Sequence, residues 1–222
     1  MSDNTLTGQN VNTANVEDSL AAERETNSLG MWVFLVSEVM LFGGLFTVYL
    51  IYRLSYPQAF AAGSQQLDVM WGTINTAVLL TSSLTMATAV YAAQTQRRKL
   101  TLLLLAATAL LGLVFLGIKG YEYWQEYQEQ LIPALNFTWD GAGALQVKLF
   151  FTLYFIMTGL HALHLTVGIG LVSGVPLLRF RRPYRSDPAS PVEIVGLYWH
   201  FVDVVWVFLF PLLYLIAPGG GS

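Results

Sequence analysis

The chain has no cysteine and carries little charge for its length. Of its 222 residues, 11% are charged, 55% are hydrophobic and only 3 are histidines. A soluble domain usually carries about 25% charged residues, so most of this surface must face something other than water. The absence of cysteine excludes disulfides, cysteine-ligated zinc and iron–sulfur clusters. The small net charge of -3 argues against a nucleic-acid partner.

Five long apolar stretches follow a polar N-terminal segment. Each reaches the roughly 20 residues that a helix needs to cross a bilayer, and a helix satisfies its own backbone hydrogen bonds in lipid. The sequence therefore predicts an all-α, polytopic membrane bundle. Before it, a polar tail is interpreted as mobile or as a surface helix, and the C-terminus is expected to be disordered. The spans are predicted at 29–52, 70–94, 100–121, 148–178 and 194–216, with the bundle at 29–216, the tail at 1–28, the longest loop at 122–147 and the disordered end at 217–222.

Basic residues are distributed unevenly between the two sides of this bundle. Eight lie in the tail and in the loops after the second and fourth spans, and three lie on the other side. Because lysine and arginine concentrate on the cytoplasmic side of membrane proteins, we predict a cytoplasmic N-terminus and a C-terminus outside. The eight are Arg24, Arg97, Arg98, Lys99, Arg179, Arg181, Arg182 and Arg185, and the three are Arg53, Lys119 and Lys148.

Ionisable side chains inside the spans are the candidate functional residues. They are Glu38 in the first span, His161 and His164 in the fourth, and His200 and Asp203 in the fifth. Each such group costs roughly 2.5–3.5 kcal/mol to insert into a membrane, so it should face protein or water. The helical rise of about 1.5 Å per residue places all of them near the membrane centre. We expect a polar layer that handles protons or locks helices together, for example by Asp203 accepting a hydrogen bond from His200 or from a neighbouring helix.

The histidines do not form a convincing redox centre. A bis-histidine haem site in a bundle usually draws on two histidine pairs, and this chain has one pair, His161 and His164, with His200 on another helix. A copper site of the three histidines has no identifiable supporting hydrogen bonds. We therefore expect neither a metal nor a cofactor in this chain.

A stripe of small residues runs along the fourth span. Small residues at intervals of three or four allow two helix backbones to approach closely. The stripe predicts a packing face, directed either to the chain's own helices or to a partner. Its members are Gly159, Ala162, Thr166 and Gly170.

Each span also carries a motif that resembles one known family. The motifs are Phe34-Leu-Val-Ser-Glu-Val-Met-Leu-Phe42, Ile74-Asn-Thr-Ala-Val-Leu-Leu-Thr-Ser-Ser83, Gly117-Ile-Lys-Gly-Tyr-Glu-Tyr123, Phe155-Ile-Met-Thr-Gly-Leu-His-Ala-Leu-His164 followed by Gly168, and Tyr198-Trp-His-Phe-Val-Asp-Val-Val-Trp206. In this order they resemble subunit III of the haem-copper terminal oxidases, the cytochrome c oxidase subunit III family, in a short five-helix form.

The resemblance implies a non-catalytic subunit of an aerobic respiratory oxidase in the bacterial inner membrane. In that family, haem and copper lie in subunits I and II. Subunit III packs mainly against subunit I, supports proton uptake and binds structural phospholipid, and contacts with other respiratory complexes are a further expectation. Glu38 matches the family's membrane-buried glutamate.

Two departures from the family pattern bear on the function. The chain lacks the two N-terminal helices of longer members, so the lipid-filled cleft that those helices form needs a wall from another subunit. Quinol-oxidase relatives often carry Asp where this chain has Glu38, which favours the cytochrome c type. The alternatives are a quinol oxidase subunit III and a nitric-oxide-reductase accessory protein of the same fold. A proton-coupled transporter that works alone is a third alternative from another class.

Overall fold

The structure is a computed structural model. The residues that it describes form six helices and the turns between them. They are residues 3–139, 141, 143–181 and 190–216, with side chains described for 26, 28–139, 141, 143–176 and 191–216. No strand occurs within these ranges. The helices are α1 (Asp3–Ser55), α2 (Pro57–Ser64), α3 (Val69–Gln94), α4 (Arg98–Gln128), α5 (Ala144–Arg181) and α6 (Ser190–Tyr214).

Five of these helices contain segments long and apolar enough to cross a membrane. The all-α bundle with five spans that the sequence predicts is therefore confirmed, while the cytoplasmic placement of the N-terminus stays a prediction. The membrane-length segments are Ser28–Ser55, Val69–Gln94, Arg98–Gln128, Ala144–Pro176 and Pro191–Tyr214.

The observed helices differ from the predicted spans at three places. Residues 3–28, expected as a tail or surface helix, continue α1 as helix. The short helix α2 was not predicted; it begins at Pro57, whose fixed φ suits a first helical turn. The helix α4 continues to Gln128, through the first part of the predicted loop at 122–147. The C-terminal end at 217–222 lies outside the described residues.

A short turn joins α3 to α4 and makes the two helices antiparallel. Arg97 N–H donates to the Ala92 carbonyl at 2.9 Å, and Gln96 N–H donates to the Ala93 carbonyl at 3.0 Å. This is the Schellman arrangement, and Gln96 takes its left-handed position with φ of 55°. The membrane-length helices continue to alternate in direction along the chain. The helices α1, α4 and α6 therefore end at the same side of the bundle. We call that side the Gln128 end.

The core is built around α6. Trp199 and Trp206 are fully buried, and their indole N–H groups donate to Ser82 Oγ at 3.0 Å and Thr76 Oγ1 at 3.1 Å on α3. These hydroxyls provide the polar partner that a buried indole requires. They therefore fix the register of α6 against α3.

The helix α1 lies at the periphery of the bundle. Only 17% of its membrane segment is buried, against 44% for α6, so α1 is held by few contacts. One of them is Tyr49, whose O–H donates to the Leu212 carbonyl at 2.6 Å. Ser64 of α2 donates similarly to Leu213 at 2.7 Å. Both carbonyls lie in the last turn of α6, where no intrahelical donor is available.

The small-residue stripe of α5 turns away from the other helices over its second half. Gly159 and Ala162 are half-buried, whereas Thr166 and Gly170 are exposed. A Cβ atom at Gly170 would meet no atom within 4 Å. The stripe therefore does not pack against the chain's own α6, because the spacing identifies a face but not its neighbour. Docking of this face to a partner stays a prediction.

The glycine that does bring α5 and α6 together is Gly168. A Cβ atom there would lie 3.2 Å from ring carbons of both Tyr198 and Trp199. The absence of a side chain lets these two rings pack against the α5 backbone. The close approach of the two helices depends on this position.

Candidate functional site

The ionisable residues of the bundle form two main groups. The first, which we call the glutamate–histidine pair, consists of Glu38 on α1 and His164 on α5. The second, the lysine–tyrosine cluster, lies nearer the Gln128 end and contains residues from three helices. Its members are Lys119, Glu122 and Glu126 of α4, Tyr154 of α5 and Tyr214 of α6.

A hydrogen bond between two helices joins the glutamate–histidine pair. Glu38 Oε2 lies 3.0 Å from His164 Nε2, and the other ring nitrogen, Nδ1, lies 2.8 Å from the Leu160 carbonyl. Because a carbonyl only accepts hydrogen bonds, Nδ1 must carry a hydrogen. The Nε2 atom then either accepts from a protonated Glu38 or donates to its carboxylate.

The surroundings of the pair hold the imidazole in place. The Phe42 ring meets the His164 ring edge-on, with 5.4 Å between the ring centroids. Tyr198 O–H donates to the backbone carbonyl of His164 at 2.9 Å. The side chains of His164 and Glu38 are 13% and 15% exposed, so this site lies near the surface of the bundle. The pair links the peripheral α1 to α5.

His200 and Asp203 do not bond to each other as the sequence suggested. His200 Nδ1 lies 2.8 Å from Ser83 Oγ of α3. Asp203 is 4% exposed, and its carboxyl group lies close to the same Ser83 hydroxyl, without a hydrogen bond of good geometry to a described residue. The i,i+3 spacing places both residues on one side of α6, but the imidazole has a closer hydroxyl on the neighbouring helix.

His161 occupies an aromatic environment. It is 1% exposed, its ring meets Phe115 edge-on at 5.6 Å, and it lies 5.2 Å from the Trp206 ring. Neither ring nitrogen has a hydrogen-bond partner among the residues described. Of the five residues expected in one polar layer, only Glu38 and His164 hydrogen-bond to each other among the residues described.

The lysine–tyrosine cluster was missed at the level of sequence. Its central group is the Lys119 ammonium, which donates to Tyr214 Oη and, at 3.0 Å, to Tyr154 Oη. Lys119 also forms an ion pair of 3.2 Å with Glu122 Oε2. Lys119, Glu122 and Glu126 are only 3%, 3% and 5% exposed, so the charges are enclosed by the bundle.

Two tyrosines extend these contacts to both carboxyl groups. Tyr154 O–H donates to Glu126 Oε1 at 2.6 Å, and Tyr214 O–H donates to Glu122 Oε1 at 2.9 Å. The Lys119 ammonium lies 5.0 Å from the Tyr154 ring centroid and 5.3 Å from that of Trp206. Such distances fit cation–π attraction. The cluster therefore joins α4, α5 and α6 through charge-assisted hydrogen bonds.

A sequence signal for the cluster was present. Lys119, Glu122 and Glu126 follow the spacing i, i+3 and i+7, which places them on one face of a helix. Their charge lowered the local hydropathy, so the span was predicted to end at 121 and Lys119 was counted with the loop residues. With Lys119 inside the bundle, Arg53 and Lys148 remain as the basic residues near helix ends on that side, which strengthens the bias behind the predicted orientation.

Two of the three histidines, His164 and His200, are engaged by protein groups. His164 contacts Leu160 and Glu38, and His200 contacts Ser83. Over the described part of the chain, no three residues of the types His, Cys, Asp and Glu are grouped so as to hold a metal ion. The expectation that this chain holds no cofactor stays a prediction.

Comparisons with known proteins give one consistent match. The model of the family described as cytochrome c oxidase subunit III matches residues 10–217. A relative named "Probable quinol oxidase subunit 3" from Staphylococcus aureus (strain USA300) is 34% identical, over 91% of this chain and 95% of the relative. Proteins with the same name from Staphylococcus saprophyticus and Staphylococcus haemolyticus are 33% and 32% identical, over 92% and 91% of this chain and 96% and 95% of the relatives.

Proposed function

The chain belongs to the cytochrome c oxidase subunit III family of the haem-copper oxidases, and on this basis we propose that it is subunit III of a quinol oxidase. It is an integral membrane protein and one subunit of an oxidase complex. The finer assignment concerns the electron donor, the partners and the role of this subunit.

The electron donor is inferred from the relatives. Glu38 favoured the cytochrome c type at the level of sequence, and that preference is not confirmed. The relatives named above are quinol oxidase subunits and match this chain over nearly their whole length. They support the alternative that the sequence left open. Quinol is therefore the proposed donor.

The role that the geometry supports best is a structural one. The observation that carries it is His164, both of whose ring nitrogens are engaged by Leu160 and Glu38. A histidine bonded in this way joins helices and leaves no nitrogen for a metal. We infer that haem and copper lie in subunits I and II. This chain stabilises subunit I, supports its proton uptake and binds structural phospholipid, in the inner membrane of a bacterium.

Purification of the complex through a tag on this chain tests the assignment. We expect haem and copper absorbance, subunits I and II identified by mass, and oxidation of a reduced quinol with consumption of oxygen. Oxidation of reduced cytochrome c without quinol oxidation would contradict the proposed donor. Reduction of nitric oxide in place of oxygen would favour the accessory-protein alternative, and proton-coupled transport by this chain alone in vesicles would favour the transporter.

Depletion of this chain tests its role in the complex. We expect the depleted oxidase to keep its haem and copper absorbance but to lose proton-uptake rate or activity during prolonged turnover. The control is oxidase passed through the same detergent steps with the chain retained. A stoichiometric loss of haem or copper on depletion would place the cofactor in this chain. Unchanged rate and endurance would indicate a role in assembly alone.

A further inference from the structure

We propose that the lysine–tyrosine cluster is a proton-binding site that holds one exchangeable proton on Glu126. This inference goes beyond the proposed function and holds whichever donor the oxidase uses. It rests on the contacts of the Lys119 ammonium, on the number of charges that the cluster encloses, and on the different surroundings of its two carboxyl groups.

The ammonium group of Lys119 is fully surrounded by acceptors. Tyr154 Oη and Tyr214 Oη accept hydrogen bonds from it, and Glu122 Oε2 pairs with it at 3.2 Å. Two of these contacts are hydrogen bonds and the third is an ion pair with a carboxylate, and an ammonium has three N–H donors for them. Such an environment suits the charged form of lysine. The cluster therefore contains one fixed positive charge.

Two carboxyl groups face this single charge. If Glu122 and Glu126 were both ionised, the enclosed cluster would carry one uncompensated negative charge. Burial of such a charge costs several kcal/mol, and a buried acid normally takes up a proton instead. The exposed Glu129 lies one turn beyond Glu126 and adds a further negative charge. Charge balance therefore calls for one proton on a carboxyl of the cluster.

The surroundings of the carboxyls assign that proton to Glu126. Glu122 receives both the Lys119 ammonium and the Tyr214 O–H, which suits a carboxylate. Glu126 receives only the Tyr154 O–H, at Oε1. Oε2 of each carboxyl is buried without a hydrogen bond to a described residue, but Glu122 Oε2 lies 3.2 Å from Lys119 Nζ, whereas no such ion pair is observed for Glu126 Oε2. Burial of the Glu126 Oε2 atom without a hydrogen bond costs less free energy if Glu126 is a neutral acid than if it is a carboxylate.

The other groups around Glu126 leave this balance unchanged. Tyr123 of α4 bonds to Thr158 of α5 at 2.6 Å, and both are neutral. The charged groups that act on Glu126 are Lys119, Glu122 and Glu129. Since α4 ends at Gln128, Glu126 lies within its last turn. Glu126 therefore lies close to the Gln128 end of the bundle.

Infrared difference spectroscopy on the purified complex tests this proposal. A protonated carboxyl has a C=O stretching band separate from those of carboxylates and amides. The spectrum of wild type minus Glu126→Gln should contain one such band, and the band should shift in D2O. Glu129→Gln, which alters an exposed carboxyl on the next turn, is the matched control and should produce no such band. The haem absorbance and the retention of the chain show whether each variant assembles.

The partner variants determine how many protons are bound. The protonated-carboxyl band should also be absent from Glu122→Gln. In that variant Glu126 becomes the counter-ion of Lys119 and is therefore ionised. The double variant, with both Glu122→Gln and Glu126→Gln, should lose no more intensity in this band than either single variant does. Three results would each overturn the proposal. They are the absence of a band in the wild-type minus Glu126→Gln difference, a further loss of band intensity in the double variant, and a band that does not shift in D2O. Should Glu126→Gln fail to assemble, Glu126→Asp must displace the band, and an undisplaced band overturns the assignment.

Discussion

The glutamate–histidine pair and the lysine–tyrosine cluster differ in how they accommodate ionisable side chains between the helices. Both place acids and bases inside a membrane bundle, where unpaired charge is costly. The pair balances one acid with one base at a partly exposed position, and it ties the peripheral α1 to α5. The cluster encloses two acids with one base and joins three core helices. The comparison indicates that α4, α5 and α6 depend on the cluster, whereas the attachment of α1 depends on the pair.

Replacement of Lys119 should have the largest effect. Lys119→Met removes the positive charge from the cluster and leaves the buried Glu122 carboxylate without its partner, and loss of one member of a buried ion pair costs about 3–5 kcal/mol. Thermal unfolding of the complex in mild detergent, with retention of the chain as a second readout, measures the change. Lys148→Met, at an exposed position of α5, is the control. Equal stability of the two variants would show that the cluster does not hold the core together.

Overpacking at Gly168 should have the next largest effect. Gly168→Leu drives a side chain into Tyr198 and Trp199, and such overpacking costs about 2 kcal/mol. Gly170→Leu places the same side chain where nothing lies within 4 Å and should be nearly neutral in the isolated chain. Unfolding in detergent compares the two. A larger loss from Gly170→Leu would mean that the exposed stripe, and not Gly168, is the principal packing face.

Removal of the acid of the pair should have a smaller effect than loss of Lys119. Glu38→Ala leaves His164 Nε2 without its partner, and we expect a loss of about 1–2 kcal/mol because the site is partly exposed. Glu38→Gln retains a hydrogen-bond donor for Nε2 and should lose much less. Limited proteolysis near α1 locates the change, which should be confined to that helix. A loss as large as that of Lys119→Met would contradict the difference between the two sites.

The smallest expected effect concerns the hydroxyl that supports the pair. Tyr198→Phe removes the hydrogen bond to the His164 carbonyl and keeps the ring, at a cost of about 0.5–1 kcal/mol. Thermal unfolding in the same detergent measures it. In combination with Glu38→Ala, the losses should depart from additivity, because both changes act on His164. Strict additivity would indicate that Tyr198 and Glu38 act independently.

The prediction of helix ends from the sequence was least accurate where a charged segment continues an apolar helix. Lys119, Glu122 and Glu126 lowered the hydropathy of the end of α4, so the prediction ended the third span at 121. Their spacing favours one helix face, but sequence alone does not give the two tyrosines that complete that face. Tyr154 and Tyr214 follow Lys119 by 35 and 95 positions. Only the packing of α5 and α6 against α4 brings them to the ammonium.

The composition and the five apolar runs determined the class of the protein. Without water to hydrogen-bond the backbone, such runs form membrane helices whatever their neighbours are. The tertiary structure decided which polar side chains meet. Glu38 pairs with His164, His200 pairs with Ser83 instead of Asp203, and Gly168, not Gly170, packs against α6. The physical reason is that spacing fixes the face of a helix, while the rotation and partner of that face depend on the packing of the whole bundle.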